Sequence, residues 1–208
     1  MTQDHGAPGG ARAGAHETDA DGRLRETTVR ERVVYEGSYL TFRADTILDA
    51  EGREHQREIV LHPGAVAVVA LDGDDVLFVR QWRHATGGPL LEIPAGTIDV
   101  LEDGTLEEPD RCAARELAEE TGRVAGRWTH LADFWTAPGF TDEHMHLYLA
   151  RDLRPDRNGA GPDEDERLEL TRMPWREAVA AAERGEIRDA KSLVGLLMLA
   201  RLADRGDL

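Results

Sequence analysis

The feature that most constrains this chain is the run from Arg115 to Gly122, in which glutamate recurs at helical spacing. Glu116, Glu119 and Glu120 stand at positions i, i+3 and i+4, so a helix would place the three carboxylates on one face. Like charges in that arrangement repel each other unless a cation lies among them. Hard divalent cations take oxygen ligands, and Mg²⁺ is held by a few carboxylates together with substrate phosphates. The run therefore predicts a helix that presents a candidate metal site.

The flanking residues predict where this helix begins and ends. Thr105 and Glu108 stand at capping-box spacing, and Asp110 is a second candidate for the cap. Pro109 is tolerated only in a first helical turn, and Gly122 supplies a left-handed end. The opposite face is small and apolar, as expected for a helix that packs on a sheet, and consists of Ala113, Ala114 and Leu117.

A group of glutamates on a helix is commonly solvated surface without a ligand. Two neighbours of this group favour a functional site instead. Arg115 adjoins the glutamates and can orient a carboxylate, and a turn of sequence Pro94-Ala95-Gly96 lies upstream. The region from Pro94 to Gly122 is therefore the predicted centre of the site.

Before this region the sequence predicts a tail and a small separate sheet. Residues 1–25 are rich in Gly, Ala and Asp and are expected to be disordered. Residues 26–62 are expected to form an antiparallel β-meander, which needs a partner surface because so small a sheet is marginally stable alone. Its predicted strands are Thr28–Tyr35, Tyr39–Leu48 and Glu54–Leu61. Residues 63–208 are the predicted main domain.

The main domain mixes strands with helices without regular βαβ alternation, which predicts the α+β class with a mixed sheet between helices. Ala65–Leu71 is a continuous apolar run, typical of a strand covered on both faces. The other predicted strands are Val76–Gln81, Leu90–Ile93, Arg127–Trp135, His144–Ala150 and Arg167–Met173. Two further helices are predicted at Trp175–Arg184 and Ala190–Ala203.

Charge and cysteine content exclude several classes of protein. The formal net charge is −16 and the pI is near 4.9, which argues against binding to nucleic acid or to an anionic membrane surface. A phosphate substrate remains compatible with this charge, because a divalent cation reverses the sign locally. The single cysteine, Cys112, excludes an intramolecular disulfide and suits the reducing cytoplasm. Residues 1–25 lack the apolar segment of a signal peptide, and no apolar run is long enough to span a membrane.

Three other groups of residues could be functional, but the residues around them give less support for a function. Arg80 and Arg83 follow a predicted strand near the glutamates, where each could bind a phosphate or simply face solvent. His144 and His146 alternate on one strand face and would suit a metal, but no third soft ligand accompanies them in the sequence. The run from Asp163 to Glu166 lies in a loop, where acidic residues are usually solvated.

The region that begins at Gly96 resembles the Nudix box. The pattern of that box is Gly, five residues, Glu, seven residues and then Arg-Glu-U-X-Glu-Glu-X-Gly-U, in which U is a bulky aliphatic residue. Gly96 matches the start, and Arg115 to Gly122 match the second half. Val100 to Gly104 look like an insertion of five residues, and Arg123 stands where the final U is expected. Because of the insertion, three residues compete for the early glutamate: Glu102, Glu107 and Glu108.

Residues 27–205 also resemble the ADP-ribose pyrophosphatase branch of the Nudix hydrolases. The likeness depends on a meander that ends in Arg57-Glu58 and His62-Pro63-Gly64, on Pro138 sixteen residues after Gly122, and on the acidic loop at residues 163–166. It implies a Nudix α/β/α sandwich preceded by the N-terminal meander. It also implies a homodimer in which the meander is exchanged, so that Arg57 reaches the substrate of the partner subunit.

The resemblance implies a role for each site residue. The implied metal ligands, for Mg²⁺ or alternatively Mn²⁺, are the Ala95 carbonyl, Glu116, Glu120 and Glu166. The implied catalytic residues are Glu164 as the base, Glu119 and Arg115. Glu164 and Glu166 could exchange their roles, and Glu119 or Glu143 is the next candidate for the base. The implied substrate-binding residues are Arg57, Arg80, Arg83, Glu92 and Pro138.

The activity implied by the resemblance is metal-dependent hydrolysis of the pyrophosphate bond of ADP-ribose or a related nucleoside diphosphate sugar. The products would be AMP, or another nucleoside monophosphate, and a sugar phosphate. One alternative is a Nudix hydrolase for another substrate, such as a GDP-sugar or a dinucleoside polyphosphate. A second alternative is a Nudix sensor that binds ADP-ribose without cleaving it, which the complete set of Arg115 and three glutamates disfavours. We expect a cytoplasmic homodimer with no nucleic-acid or membrane partner.

Overall fold

The computed structural model describes residues 22–157, 159, 161 and 167–208. Most of the predicted tail and the acidic loop, with Glu164 and Glu166, therefore lie outside the described residues. The elements of the N-terminal part are strands β1 (Thr27–Arg30), β2 (Val33–Glu36), β3 (Thr41–Leu48) and β4 (Glu54–Leu61). Those of the main part are β5 (Ala65–Asp72), β6 (Asp75–Arg83), β7 (Gly88–Glu92), β8 (Ala95–Thr97), α1 (Pro109–Thr121), β9 (Arg123–Val124), β10 (Arg127–Trp135), β11 (His144–Arg151), β12 (Arg154–Pro155), β13 (Glu169–Pro174), α2 (Trp175–Glu183) and α3 (Ala190–Arg205). A short 3-10 helix, His84–Thr86, joins β6 to β7.

The N-terminal sheet is the predicted antiparallel meander with its first strand broken in two. β4 pairs with β3 along its whole length, while β1 and β2 pair in turn with the other edge of β3. The single strand expected at Thr28–Tyr35 is therefore wrong, because the pairing is interrupted between Arg30 and Val33. The interruption is local: the Ala44 N–H still donates to the Arg32 carbonyl at 2.9 Å.

The central sheet is mixed and has the order β10-β11-β5-β6-β13, with β7 paired to β6 and β8 paired to β5. The β11–β5 pair is parallel and the other pairs are antiparallel. β9 and β12 form a separate short ribbon. This arrangement confirms the α+β class and the mixed sheet expected from the sequence.

β5 is the centre of the core, as its continuous apolar run predicts. Val66, Val68 and Ala70 lie in a buried cluster with the α1 residues Ala113 and Leu117. On the other face, the β5 residues Ala65, Ala67, Val69 and Leu71 lie in a second buried cluster. The helix residues in that cluster are Ala178 and Ala181 of α2 and Leu196 and Leu199 of α3. Helices therefore cover both faces of the strand, which is the α/β/α arrangement.

The start of α1 differs from the prediction. The N-cap residue is Glu108, whose side chain makes no cap hydrogen bond, so neither Thr105 nor Asp110 occupies the cap position. Thr105 instead donates its hydroxyl to Asp103 Oδ1 at 2.6 Å. Pro109 occupies the first turn, where its missing N–H costs nothing. The predicted end is confirmed, because Gly122 is left-handed with φ of 63° and donates to Ala118 O.

The inserted residues before α1 form a small closed hairpin. Val100 bridges to Leu106, and the Leu101 N–H donates to the Thr105 carbonyl at 2.8 Å. Gly104 has φ of 80°, which glycine adopts without strain. Because the hairpin brings its own ends together, the chain on either side of the insertion can keep its position.

The N-terminal sheet is joined to the main sheet through the loop between β10 and β11. The Val60 N–H donates to Phe140 O at 2.7 Å, and the His62 N–H donates to Asp142 Oδ1 at 2.7 Å. These bonds hold the end of β4 beside the loop that contains Pro138. Within the part of the chain that the structure describes, every helix is too short or too polar to cross a membrane.

Candidate active site

Arg115 organises the glutamates of α1. Its Nη1 donates to Glu116 Oε1 at 2.7 Å and to Glu119 Oε2 at 3.0 Å. Its Nη2 donates to Glu107 Oε2 at 2.9 Å. The same Nη2 lies 3.3 Å from Asp99 Oδ2, so one guanidinium holds four carboxylates close together. Of the three candidates for the early glutamate of the box, Glu107 is the one that contacts this arginine.

Burial opposes the charged form of Arg115, but the hydrogen bond to Glu107 and the neighbouring carboxylates outweigh it and raise the pKa of the guanidinium. Arg115 is therefore a permanent cation. Cys112, one turn earlier on α1, is completely buried. Burial raises the pKa of its thiol far above neutral pH. A neutral, enclosed thiol is not a nucleophile, so Cys112 acts here as a small buried residue of the helix.

The turn before β8 fits closely against the glutamates. Glu120 is buried and accepts a hydrogen bond from the Ala95 N–H at 2.9 Å. A Cβ atom added to Gly96 would lie 1.9 Å from Glu116 Cδ, so the Glu116 carboxylate would have to move aside. Glycine at this position therefore leaves the Glu116 carboxylate the space that a side chain would take. The Pro94-Ala95-Gly96 turn and α1 together form one wall of a site.

That wall faces an open cleft of about 750 Å³. Glu116, Glu119 and Arg115 line it from α1, and Ala95 and Gly96 line it from the turn. Residues from five other parts of the chain also line it: Ser38, Tyr39, His62, Gln81, Arg83, Glu143, Met145 and Lys191. Carboxylates and cations therefore line the same cleft, which suits a substrate with a charged diphosphate bound through metal and arginine.

Arg83 is held at the cleft by a buried glutamate. Its Nε and Nη2 donate to the two oxygens of Glu92, each at 2.8 Å. Lys191 of α3 also pairs with Glu92 and donates to Asp189 Oδ1 at 3.0 Å. Burial would raise the pKa of the Glu92 carboxyl, but the Arg83 hydrogen bonds and the charge of Lys191 together lower it. Glu92 is therefore a buried anion that orients two cations of the cleft.

Other predicted site residues lie away from this lining. Arg57, on β4, is exposed and pairs with Glu26 of its own chain. Arg80 is exposed on β6, and Pro138 is exposed in the loop after β10. These three residues, which were predicted to bind the substrate, are therefore not among the residues that line the cleft of their own chain. Glu164 and Glu166 lie outside the described residues.

Sequence reasoning missed several residues that line the cleft. His62 is not among the predicted site residues, yet its Nδ1 accepts from the Gly64 N–H at 3.0 Å, which places the ring proton on Nε2. That nitrogen lies 3.8 Å from Glu143 Oε1, and Thr136 also donates to the Glu143 carboxylate. Lys191 is 99 residues from Glu92, so no local pattern could connect them. Glu143 was identified only as a reserve candidate for the base.

The donor set fits a hard divalent cation. Glu116, Glu119 and Glu120 offer carboxylate oxygens, and the Ala95 carbonyl belongs to the turn against which they pack. Oxygen donors of this kind suit Mg²⁺ or Mn²⁺. Arg115 offsets part of the repulsion among the carboxylates, and an added cation would be stabilised by the negative charge that remains.

Comparisons with known proteins agree with this geometry. The family model described as NUDIX domain matches residues 61–194. A protein of Bacillus methanolicus named methanol dehydrogenase activator is 37% identical over 177 residues, covering 85% of this chain and 93% of its own length. The ADP-ribose pyrophosphatase of Bacillus subtilis strain 168 has the same identity and coverage.

The fold also matches a solved structure, described as the crystal structure of ADP compounds hydrolase. That structure superimposes with a TM-score of 0.75 over 89% of this chain and 98% of the other, at 24% identity, which shows a common fold. The family model spans more than half of the chain, and the glutamates of α1 lie within it. The chain therefore belongs to the NUDIX domain family.

Proposed function

We propose that this protein hydrolyses the pyrophosphate bond of ADP-ribose or a related nucleoside diphosphate sugar, giving a nucleoside monophosphate and a sugar phosphate. The observation that carries the proposal is the cleft in which Arg115 gathers the α1 glutamates and Glu92 presents Arg83. A diphosphate needs both kinds of group, since its negative oxygens bind cations and its attack by water needs a nearby carboxylate. The name of the Bacillus subtilis relative supports the substrate class.

Mg²⁺, with Mn²⁺ as an alternative, is the proposed cofactor. The Ala95 carbonyl, Glu116 and Glu120 would hold it, Glu119 would assist, and Glu166 would contribute from the acidic loop. When bound, the ion supplies charge neutralisation at the diphosphate and acidifies water. Because the glutamates outnumber the cations around them, the site without an ion would repel a diphosphate.

The side chains of this chain would then position the substrate and move one proton. Arg83 is oriented by two bonds to Glu92, so it can bind a phosphate oxygen with little further loss of freedom. The base takes a proton from the attacking water, and the leaving phosphate departs with the electron pair of the P–O bond. Glu164 is our proposed base, and Glu119 and Glu143 are the described carboxylates on the cleft that could replace it.

The test is product analysis on the full chain with Mg²⁺ and a panel of ADP-ribose, ADP-glucose, a GDP-sugar and a dinucleoside polyphosphate. We expect AMP and ribose 5-phosphate from ADP-ribose, and loss of at least about 10²-fold in rate for Glu120→Gln, since several kcal/mol of charge stabilisation disappear. Turnover of the dinucleoside polyphosphate alone would replace the proposed substrate class. No turnover of any compound, with tight binding of ADP-ribose, would favour the sensor function.

The oligomeric state and location belong to the same proposal. We propose a cytoplasmic homodimer in which Arg57 of one subunit reaches the cleft of the other. Two observations support it: Arg57 is exposed and away from its own cleft, and the N-terminal sheet exposes an apolar surface that includes Val29, Val33 and Tyr35. Neither nucleic acid nor membrane is a proposed partner.

A further inference from the structure

A second group of metal-ligating side chains lies outside the cleft, on the edge of the central sheet. Asp133 of β10 is directly opposite His146 of β11, and the His146 Nδ1 lies 2.7 Å from Asp133 Oδ1. The His130 Nε2 lies 2.8 Å from the same oxygen. One atom from each of the three residues lies within 4.8 Å of the others. Two imidazoles therefore converge on one carboxylate.

This convergence depends on an irregularity in β10. Residues three apart on a regular strand point to opposite faces, so His130 and Asp133 should not meet. The pairing with β11 shifts register between His130 and Ala132, where one extra residue is taken up as a bulge. A bulge re-aims the side chains beside it, and here it brings His130 to the same face as Asp133.

Neighbouring rings hold the imidazoles in place. The His130 ring meets the edge of Tyr148 with centroids 5.4 Å apart, and Trp135 packs on His144 at 4.7 Å. The His144 Nδ1 lies 3.3 Å from His146 Nε2, the nitrogen that points away from Asp133. A partner on the second nitrogen is what orients a histidine that binds metal through the first.

We propose that His130, Asp133 and His146 form a second metal site, for a borderline divalent ion such as Zn²⁺, with His144 as the residue that orients His146. Two imidazoles and one carboxylate are the donor set that Zn²⁺ takes, and three protein ligands leave one position for water. Mg²⁺ avoids such a set because it prefers oxygen ligands. The chain would therefore bind two different metals, separated by ligand chemistry, and this inference is independent of the proposed hydrolysis.

The experiment is equilibrium dialysis of the full chain against Zn²⁺ in a large excess of Mg²⁺, with the bound metals counted by mass spectrometry. All proteins in this experiment, including the one called the parent here, carry Glu116→Gln and Glu120→Gln, so that these two α1 carboxylates do not take up zinc. We expect one zinc per chain, and at least about 10-fold weaker binding in His146→Gln and in Asp133→Asn. The matched control is His55→Gln, because His55 also pairs with an aspartate, Asp49 at 2.9 Å, but without a second imidazole. The control should bind zinc as the parent does.

A second measurement does not depend on the variants folding. Co²⁺ bound by two imidazoles and a carboxylate in tetrahedral geometry gives strong visible absorption, whereas octahedral oxygen sites give weak bands. We expect the strong bands for the chain with intact histidines, and their displacement by Zn²⁺. Absence of these bands, or zinc binding that is equal in the parent chain and in His146→Gln, would overturn the site and leave His130, Asp133 and His146 as a hydrogen-bonded cluster only.

Discussion

At the scale of single residues, the site depends on contacts too close for substitution. Glu116 lies where a side chain at residue 96 would be, and Glu120 is tied to the backbone of residue 95. The glycine at the start of the box is thus explained by a carboxylate 20 residues later in the chain, not by the conformation of the turn. A small change at residue 96 should therefore act on catalysis through Glu116.

Gly96→Ala should displace Glu116 and lower turnover, because the new Cβ would otherwise lie 1.9 Å from Glu116 Cδ. We expect at least about 10²-fold loss of kcat, with little loss of stability because the flexible Glu116 side chain can move into the cleft. Steady-state kinetics and urea unfolding measure the two effects. Gly88→Ala is the matched control, since a Cβ there meets nothing within 4 Å, and it should keep both properties. Equal kinetics for the two variants would refute the argument.

The identity of the base is a second question at the residue scale. Glu164→Gln should slow the chemical step by about 10²–10⁴-fold, the range for loss of a positioned general base, with little change in substrate affinity. Glu143→Gln should slow it far less, because His62 and Thr136 already engage the Glu143 carboxylate. Single-turnover kinetics separate chemistry from binding. The opposite ranking would assign the base to Glu143.

At the scale of elements, buried strands and helices could be predicted from the sequence, and long-range side-chain pairs could not. β5 is specified by its continuous apolar run and α1 and α3 by helical spacing, and α1 ends at Gly122 as expected. The break between β1 and β2 was missed, because both halves carry the same alternating pattern. The bulge in β10 was missed too, so His144 and His146 had no visible third ligand. The lysine that pairs with Glu92 comes from a helix 99 residues away.

The hairpin before α1 should be dispensable for catalysis. Its ends are already joined by the Val100–Leu106 bridge, and the Glu107 N–H donates to Asp99 O at 2.9 Å. Replacing residues 101–105 by Asn-Gly keeps a two-residue turn between the bridged residues. We expect kcat/KM within about 3-fold of the parent, because Glu107 keeps its contact with Arg115. Glu107→Gln, which weakens that contact instead, should lower kcat/KM more than the replacement does.

The pairing of Glu92 connects β7 to β6 and α3, so it should stabilise the fold in a pH-dependent way. Glu92→Gln removes the charge that pairs with Arg83 and Lys191, while Lys191 keeps its contact with Asp189, and should cost about 2 kcal/mol at pH 7. The pKa of Glu92 is lowered from its ordinary value of 4.5, so its contribution is complete above that value and is lost as pH falls through the folded pKa. The difference in free energy of unfolding between parent and variant should therefore shrink below about pH 4.5.

Urea unfolding at pH 7, 5 and 4 checks this prediction, with Glu186→Gln as control. Glu186 also pairs with an arginine, Arg184 at 2.7 Å, but the pair is exposed to solvent. Loss of the Glu186–Arg184 pair should leave the free energy of unfolding unchanged within error at each pH. A penalty for Glu92→Gln that stays constant from pH 7 to pH 4 would show that packing, and not charge, is what Glu92 contributes.

At the scale of the whole molecule, two surfaces of the N-terminal sheet have different roles. One end is attached to the main sheet through Val60 and Phe140, and Ser38 and Tyr39 reach the cleft of the same chain. The strands β1 and β2 are exposed throughout, including Val33 and Tyr35. Exposed apolar strands of a small sheet are a surface that a second subunit can cover.

Sedimentation should therefore give about twice the 23.0 kDa chain mass, and mixing two inactive variants should restore activity. Arg57→Ala removes the arginine that one subunit lends, and Glu120→Gln disables the cleft that receives it. In a mixed dimer one of the two clefts has a native Glu120 and faces a native Arg57, and is therefore complete. Random exchange makes about half of the dimers mixed, so about a quarter of the parent rate should return. The control variant Arg53→Ala, which removes an exposed arginine just before β4, should be active by itself. A dimer whose mixture stays inactive would mean that each subunit uses its own Arg57, and a fully active monomer would remove the shared site altogether.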